Sequence, residues 1–325
     1  MHFLSLFKSK KKRDRVKIIM FTSELKNRLP SVRGRYLENV SLNAYTWFQV
    51  GGPAEILFKP EDLEDLQHFL TYKPADVPVT LLGMGSNVLV RSGGIPGVVV
   101  RLGKGFSKLH VREDCLLEVG AGVLDRNIAL TAAEHGIAGF EFLVGIPGTL
   151  GGAIRMNAGA YEREIKDVLQ KAEVVDPQGN VHILDVSDLG LGYRTSSLKE
   201  GWIVVGAFLK GKKGEIQRIQ EAISHIMKTR EEAQPVRSRT GGSTFANPPG
   251  VRAWELIDKA GCRGLKRGGA CISEKHCNFL INEGDATSED LEELGEEVKD
   301  RVLKMSGILL KWEIQRLGIK SERAQ

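Results

Sequence analysis

The chain has 325 residues, 42% hydrophobic and 27% charged, a balance that suits a globular protein and excludes general disorder. This length is too great for one small core and predicts two or three domains of roughly 100 to 150 residues. Part of the net charge of +5 lies in the run Lys8-Ser9-Lys10-Lys11-Lys12-Arg13-Asp14-Arg15, which reads as a solvated tail rather than a nucleic-acid or membrane contact.

The apolar stretch Val16 to Phe21 is broken by Lys17 and is too short for a signal-peptide core or a membrane span, so a cytoplasmic protein is expected. Cys115, Cys262, Cys271 and Cys277 have no Cys-x-x-Cys spacing and no secretory context. Buried free thiols are expected, with no metal site and no disulfide framework.

Ordered structure is expected from about Leu29. The segment Thr46 to Phe58 reads as extended chain interrupted by Gly51-Gly52-Pro53. A short amphipathic helix follows with Leu63, Leu66 and Leu70 on one face, after the acidic start Glu61-Asp62. Val79 to Leu82 predicts a buried strand running into Gly83-Met84-Gly85-Ser86-Asn87, whose small residues leave backbone N–H groups free as in a phosphate nest. The dinucleotide fingerprint Gly-x-Gly-x-x-Gly fails here, because position 88 is Val88 and a strand rather than a helix follows.

Val98 to Val100 and Leu116 to Val119 predict further strands, and Leu124, Ile128 and Leu130 begin a helix that Gly136 can end. Then comes Gly145-Ile146-Pro147-Gly148-Thr149-Leu150-Gly151-Gly152-Ala153-Ile154-Arg155-Met156-Asn157-Ala158-Gly159-Ala160-Tyr161. Five glycines in this stretch weaken any helix or strand, so the backbone is expected to approach a phosphate or a flat ring closely.

Ala172 to Val175 and Val181 to Leu184 form a hairpin around Asp176-Pro177-Gln178-Gly179-Asn180. Trp202 to Leu209 is a long strand, and Ile216, Ile219, Ile223 and Ile226 mark a helix that stops before Pro235 and reads as a linker. Beyond it lie the loop Gly241 to Gly250, a helix near Ala253 to Ala260 and a strand at Asn278 to Asn282. A last helix carries Leu291, Leu294, Val298 and Val302, with Thr287 and Asp290 as a capping box.

Several blocks, taken together, resemble the UDP-N-acetylenolpyruvoylglucosamine reductases of bacterial peptidoglycan synthesis. They are Thr46 to Ala54, Gly83 to Asn87, Gly145 to Tyr161, Gly192-Tyr193-Arg194-Thr195-Ser196, Gly242-Ser243-Thr244-Phe245-Ala246-Asn247-Pro248 and Leu310-Lys311-Trp312-Glu313-Ile314. They occur in that family's order across roughly residues 40 to 318. The resemblance implies an α+β chain: a two-subdomain FAD-binding module of the vanillyl-alcohol oxidase (PCMH) type plus a C-terminal α+β substrate domain. The expected limits are a basic leader at 1–25, subdomains at 26–102 and 103–213, a linker helix at 214–234 and the substrate domain at 235–325.

The resemblance further implies non-covalent FAD, NADPH as co-substrate, and reduction of UDP-N-acetylglucosamine enolpyruvate to UDP-N-acetylmuramate. It places Val50, Gly83, Met84, Gly85, Ser86, Asn87, Val88, Leu89, Gly145, Pro147, Gly148, Thr149, Gly151, Gly152, Asn157 and Gly159 at the cofactor. Ser243 would be the proton donor, with Arg194 and Glu313 stabilising the enolate. Tyr193, Asn247 and His276 would contact substrate. These residue types suit the chemistry, because hydride addition to a carboxylated enol ether leaves negative charge that must be held and then protonated. Guanidinium matches a carboxylate with two parallel hydrogen bonds.

Three features depart from the family's pattern. Ala246 stands where a lysine is usual, so Lys266, Arg267 or Lys275 would have to supply a cation. Arg155 replaces an aliphatic residue and is a candidate cofactor or substrate contact. The short interval from Arg194 to Ser243 resembles the subclass without a tyrosine-bearing lid. A monomer is expected, with no nucleic acid and no membrane insertion. The competing readings are an FAD-dependent oxidase of the same fold and a non-enzymatic nucleotide or nucleic-acid binder.

Overall fold

A computed structural model describes Phe21 and residues 24–321; most of the basic leader lies outside the described residues. The first described helix, Glu24–Arg28, precedes the expected start at Leu29 and buries Leu25.

The first unit is a four-stranded sheet in the order Arg35–Ser41, Pro53–Lys59, Ile95–Val100, Val79–Leu81. Its first pair is antiparallel and the other pairs are parallel. The helix Leu63–Tyr72 covers it with Leu66, Phe69 and Leu70, and Asp62 caps that helix by accepting from the Asp65 N–H. Val79–Leu81 is only partly buried, against expectation, and burial begins at Leu82.

The second unit is an antiparallel sheet in the order Val181–Asp185, Leu169–Val175, Ile203–Lys210, Leu116–Gly120, Leu109–Val111. Strand side chains alternate between faces. Leu117, Val119, Ala172, Val174 and Leu209 face one core, whereas Val175, Ile203 and Val205 join the core of the first unit. The hairpin at Asp176 to Asn180 forms as expected, with the Asp176 carboxylate accepting from the Gln178 and Asn180 N–H groups.

The helix Ile216–Ala233 was expected as a linker. Its Ile219, Ile223 and Ile226 instead pack into the core with Leu117 and Leu143, so it is part of the second unit's hydrophobic layer.

The third unit has a three-stranded sheet, Lys266–Arg267, Ala270–Ile272 and Leu280–Asn282, covered by helices Ala253–Lys259 and Ser288–Ser306. Residues 278 and 279 precede the last strand rather than belonging to it. The capping box between Thr287 and Asp290 forms, and Leu291, Leu294, Val298 and Val302 are wholly buried. This core also takes in Phe48, Val50 and Leu89 from the first unit.

Two further features bind the third unit to the first. Val88–Val90 pairs in parallel with Gln315–Leu317, and Arg91 makes a two-pronged ion pair with Glu292 at 2.8 and 2.9 Å. Among the described residues no helix is long and apolar enough to cross a membrane. Cys262, Cys271 and Cys277 are buried free thiols, whereas Cys115 is only half-buried.

Gly295 lies in the helix Ser288–Ser306 directly beneath the Trp312 ring, which occupies the space a side chain would need. Gly295→Ala should therefore displace Trp312 and cost about 1–3 kcal/mol, the usual range for overpacking. Chemical denaturation checks this, and a midpoint at or above wild type would show that the ring shifts freely.

Candidate active site

The two glycine-rich segments form adjoining walls. Gly83 to Asn87 links Val79–Leu81 to Val88–Val90, and Gly145 to Tyr161 contains the short helix Leu150–Arg155. The Ser86 hydroxyl donates to the Pro147 carbonyl at 2.6 Å, and a Cβ on Gly83 would meet Thr149 Oγ1 at 3.5 Å. Gly85 has a φ of 65° and lies so close to the Tyr45 carbonyl that a Cβ would overlap it.

Among the described residues the backbone N–H groups of Gly83, Met84, Gly85, Ser86, Asn87, Gly148 and Thr149 donate to nothing in the protein. Unpaired N–H groups on two adjoining small-residue loops are the makings of an anion-binding nest. This arrangement fits the diphosphate of FAD.

The residues expected at the cofactor differ in how their side chains pack. Val50 and Leu89 are packed into the third unit's core, and Val88 joins the core of the first. Gly151 is buried against Ala121, while Gly152 is exposed with open space where a side chain would be. Met84 is partly buried, with its sulfur 3.9 Å from the Arg101 guanidinium.

Asn157 is fully buried. Its amide donates to the Gly192 carbonyl at 2.9 Å and to Glu164 Oε2 at 3.1 Å, and its carbonyl oxygen accepts from the Lys166 N–H at 3.0 Å. Internal bonds thus hold the Asn157 side chain in place.

Residues 192–195 form a tight turn closed by hydrogen bonds in both directions between Gly192 and Thr195. Arg194 occupies a left-handed conformation, φ 55°, which costs a non-glycine residue about 1–3 kcal/mol unless its surroundings impose it. Those surroundings are explicit. The Arg194 Nε donates to Glu313 Oε1 at 2.9 Å and Nη2 donates to the Gly159 carbonyl at 2.8 Å. Nη1 has no acceptor among the described residues.

Glu313 reaches Arg194 because its own backbone is clamped. Its N–H donates to the Thr244 carbonyl at 2.9 Å, and its carbonyl accepts from Asn87 Nδ2 at 3.2 Å. Burial pushes the Glu313 carboxyl above the usual range, with the Arg194 charge opposing that rise.

Ser243 precedes Thr244 and bridges to Phe279. The residue is partly exposed, and its hydroxyl has no hydrogen-bond partner among the described residues. Arg194, Glu313 and the Ser243 segment thus come from three distant parts of the chain and meet beside the Asn87 end of the nest.

Tyr193 is exposed, its ring lies 5.2 Å from the Arg194 guanidinium carbon, and its hydroxyl accepts from the Asn247 N–H at 3.4 Å. Asn247 Oδ1 is taken by the Ala253 N–H at 2.9 Å, which leaves its amide nitrogen available. His276 packs edge-on against Phe279 and Trp254, and burial lowers its pKa, favouring a neutral ring.

Lys266 and Arg267 are engaged with Glu283 and Glu293, and Lys275 donates to the Glu231 carbonyl. A further lysine, not singled out from the sequence, neighbours Ala246. Lys311 lies opposite it, held by the Ala246 N–H to Lys311 carbonyl bond of 3.0 Å. The Lys311 side chain makes no ion pair among the described residues.

Asp125 was also missed. It is fully buried, its carboxyl oxygens have no hydrogen-bond partner, and Oδ2 is 3.1 Å from where a Gly148 Cβ would lie. Burial raises its pKa well above the usual carboxylate value. Burial thus disfavours a negative charge behind the nest.

The unfolded Asp125 carboxyl ionises above about pH 4, while burial resists ionisation of the folded one. Its contribution therefore turns unfavourable as pH rises. The melting temperature of wild type should fall relative to that of Asp125→Asn from about pH 4 to about pH 8. Parallel melting curves across that range would mean that the folded carboxyl is ionised.

Comparison with known proteins agrees with this geometry. Residues 234–317 match the family described as UDP-N-acetylenolpyruvoylglucosamine reductase, C-terminal domain, and residues 54–185 match an FAD binding domain. The UDP-N-acetylenolpyruvoylglucosamine reductase of Paramagnetospirillum magneticum is 54% identical over 300 residues, covering 92% of this chain and 97% of that protein. Its namesake from Parvibaculum lavamentivorans is 51% identical over 302 residues, covering 93% and 97%. The crystal structure of MurB from Thermus caldophilus matches with a TM-score of 0.78 at 35% identity, covering 89% of this chain and 100% of that one. With its FAD-binding module of the PCMH type and its own class of C-terminal domain, the chain belongs to the UDP-N-acetylenolpyruvoylglucosamine reductase family of FAD-dependent oxidoreductases.

Proposed function

We propose that this protein reduces the enolpyruvyl ether of UDP-N-acetylglucosamine enolpyruvate to UDP-N-acetylmuramate, with NADPH as the electron source. The observation that carries this reading is the meeting of the Arg194–Glu313 pair with the Ser243 segment beside the nest of free N–H groups. When bound, FAD supplies hydride, taken from NADPH, to the terminal carbon of the enol ether.

The residues of the chain manage the charge and the proton. The free edge of Arg194 binds the substrate carboxylate and stabilises the negative charge that develops as the adjacent carbon becomes an enolate. Glu313 aims the guanidinium. The unpartnered Ser243 hydroxyl delivers a proton to the enolate carbon. Tyr193, the free amide nitrogen of Asn247, and His276 contact the substrate, and Lys311 offers a positive charge beside Ala246 where a nucleotide phosphate would lie.

Wild-type protein supplied with NADPH should convert the enolpyruvyl UDP-sugar into a product heavier by one hydride and one proton, as mass spectrometry reads. In Ser243→Ala, bleaching of the flavin by NADPH should continue at the wild-type rate. Its reoxidation by the sugar nucleotide should slow by about 10² to 10⁴, the range for a positioned acid. A wild-type rate of reoxidation in that variant would remove Ser243 from the proton-donor role.

A further inference from the structure

Arg155 ends the short helix Leu150–Arg155, within the glycine-rich stretch that lines the nest. Its side chain does not reach toward the nest. Nη1 donates to the Leu198 carbonyl at 2.7 Å and to the Lys199 carbonyl at 3.1 Å. In return, the Ser196 hydroxyl donates to the Arg155 carbonyl at 2.6 Å. The segment following Arg194 is thus held from both sides by a single residue.

The segment preceding Arg194 is held two residues further along the same stretch, where the Asn157 amide donates to the Gly192 carbonyl. Two residues beyond that, the Gly159 carbonyl accepts from Arg194 itself. Arg155, Asn157 and Gly159 therefore grip the 192–199 loop after, before and at its central residue. A left-handed arginine needs such restraint. The turn's own hydrogen bonds, between Gly192 and Thr195, close the loop without fixing where it sits.

We propose that Arg155 is a positioning residue for Arg194: it docks the 196–199 side of the loop on the cofactor-lining stretch and so sets the guanidinium against the substrate carboxylate. Asn157 performs the same task on the other side. The inference rests on the proposed role of Arg194. It accounts for the arginine at this position, which touches neither the nest nor Glu313.

Arg155 is solvent-exposed, so its replacement leaves the core intact. In Arg155→Ala, hydrogen–deuterium exchange of the resting protein should quicken in the 191–199 segment while the rest of the chain keeps its wild-type protection. Flavin content and the rate of flavin reduction by NADPH should match wild type. Reoxidation at saturating enolpyruvyl UDP-sugar should slow by about 10²-fold, as a misplaced positioning group does. Arg155→Lys, which can still donate to one of the two carbonyls, should recover most of that loss. In an Arg194→Lys background, Arg155→Ala should add little, because the group it positions is gone.

Unchanged exchange at 191–199 would overturn the proposal. So would equal slowing of both half-reactions, or fully additive losses in the double variant. If the sugar nucleotide fails to reoxidise wild type, the functional reading falls instead, and exchange at 191–199 alone then decides the positioning role.

Discussion

The ion pair between Arg194 and Glu313 spans 119 residues of sequence and joins the second unit to the end of the chain. Both partners are largely screened from solvent, with side-chain exposures of 22% and 13%. A pair in such a setting gives up hydration that Coulomb attraction only partly returns, so its presence is weak evidence for stability. Its value lies in geometry. Glu313 holds the guanidinium at Nε, the Gly159 carbonyl holds it at Nη2, and Nη1 keeps no acceptor among the described residues, as the proposed carboxylate contact requires.

That geometry depends on how the third unit is held. Gln315–Leu317 adds to Val88–Val90 as a parallel neighbour, and Val88 follows the nest directly. The segment carrying Glu313 is therefore placed by the same chain that presents the free N–H groups. Arg91 and Arg316 both reach Glu292, while Arg316 and the Trp312 indole both reach Glu296. A network of half-buried partners ties the terminal strand, the helix Ser288–Ser306 and the first unit together. The cofactor nest and the proposed proton-transfer site thus have one common support.

Much of this was legible in local patterns. The nest was visible because closely approaching backbone demands small residues. The hairpin at Asp176 to Asn180 and the capping box at Thr287 were visible because a turn or a helix start needs particular side chains within four residues. What escaped depends on contacts distant in sequence. Periodicity marked Ile219, Ile223 and Ile226 as one face of a helix, but it could not say that the face meets Leu117 and Leu143. Asn157 sits in a glycine-rich stretch, and no local pattern shows that its side chain is held by Gly192, Glu164 and Lys166. Arg155 had no local explanation, since its acceptors lie 43 and 44 residues away. Resemblance to a family brought Arg194, Ser243 and Glu313 together; no spacing rule links them. The hydrogen bonds that seat Arg194 and the Ser243 segment against Glu313 are the physical reason that the resemblance is informative.

The central claim is that electrons enter from NADPH and leave to an enolpyruvyl UDP-sugar bound at Arg194. An anaerobic stopped-flow experiment on the wild-type protein, following flavin absorbance, tests it most directly. NADPH should bleach the flavin, and mixing the reduced protein with the enolpyruvyl UDP-sugar should restore the colour rapidly, far faster than mixing with oxygenated buffer. Rapid recovery with oxygen and none with the sugar nucleotide would contradict the account and place the protein among oxidases of the same fold.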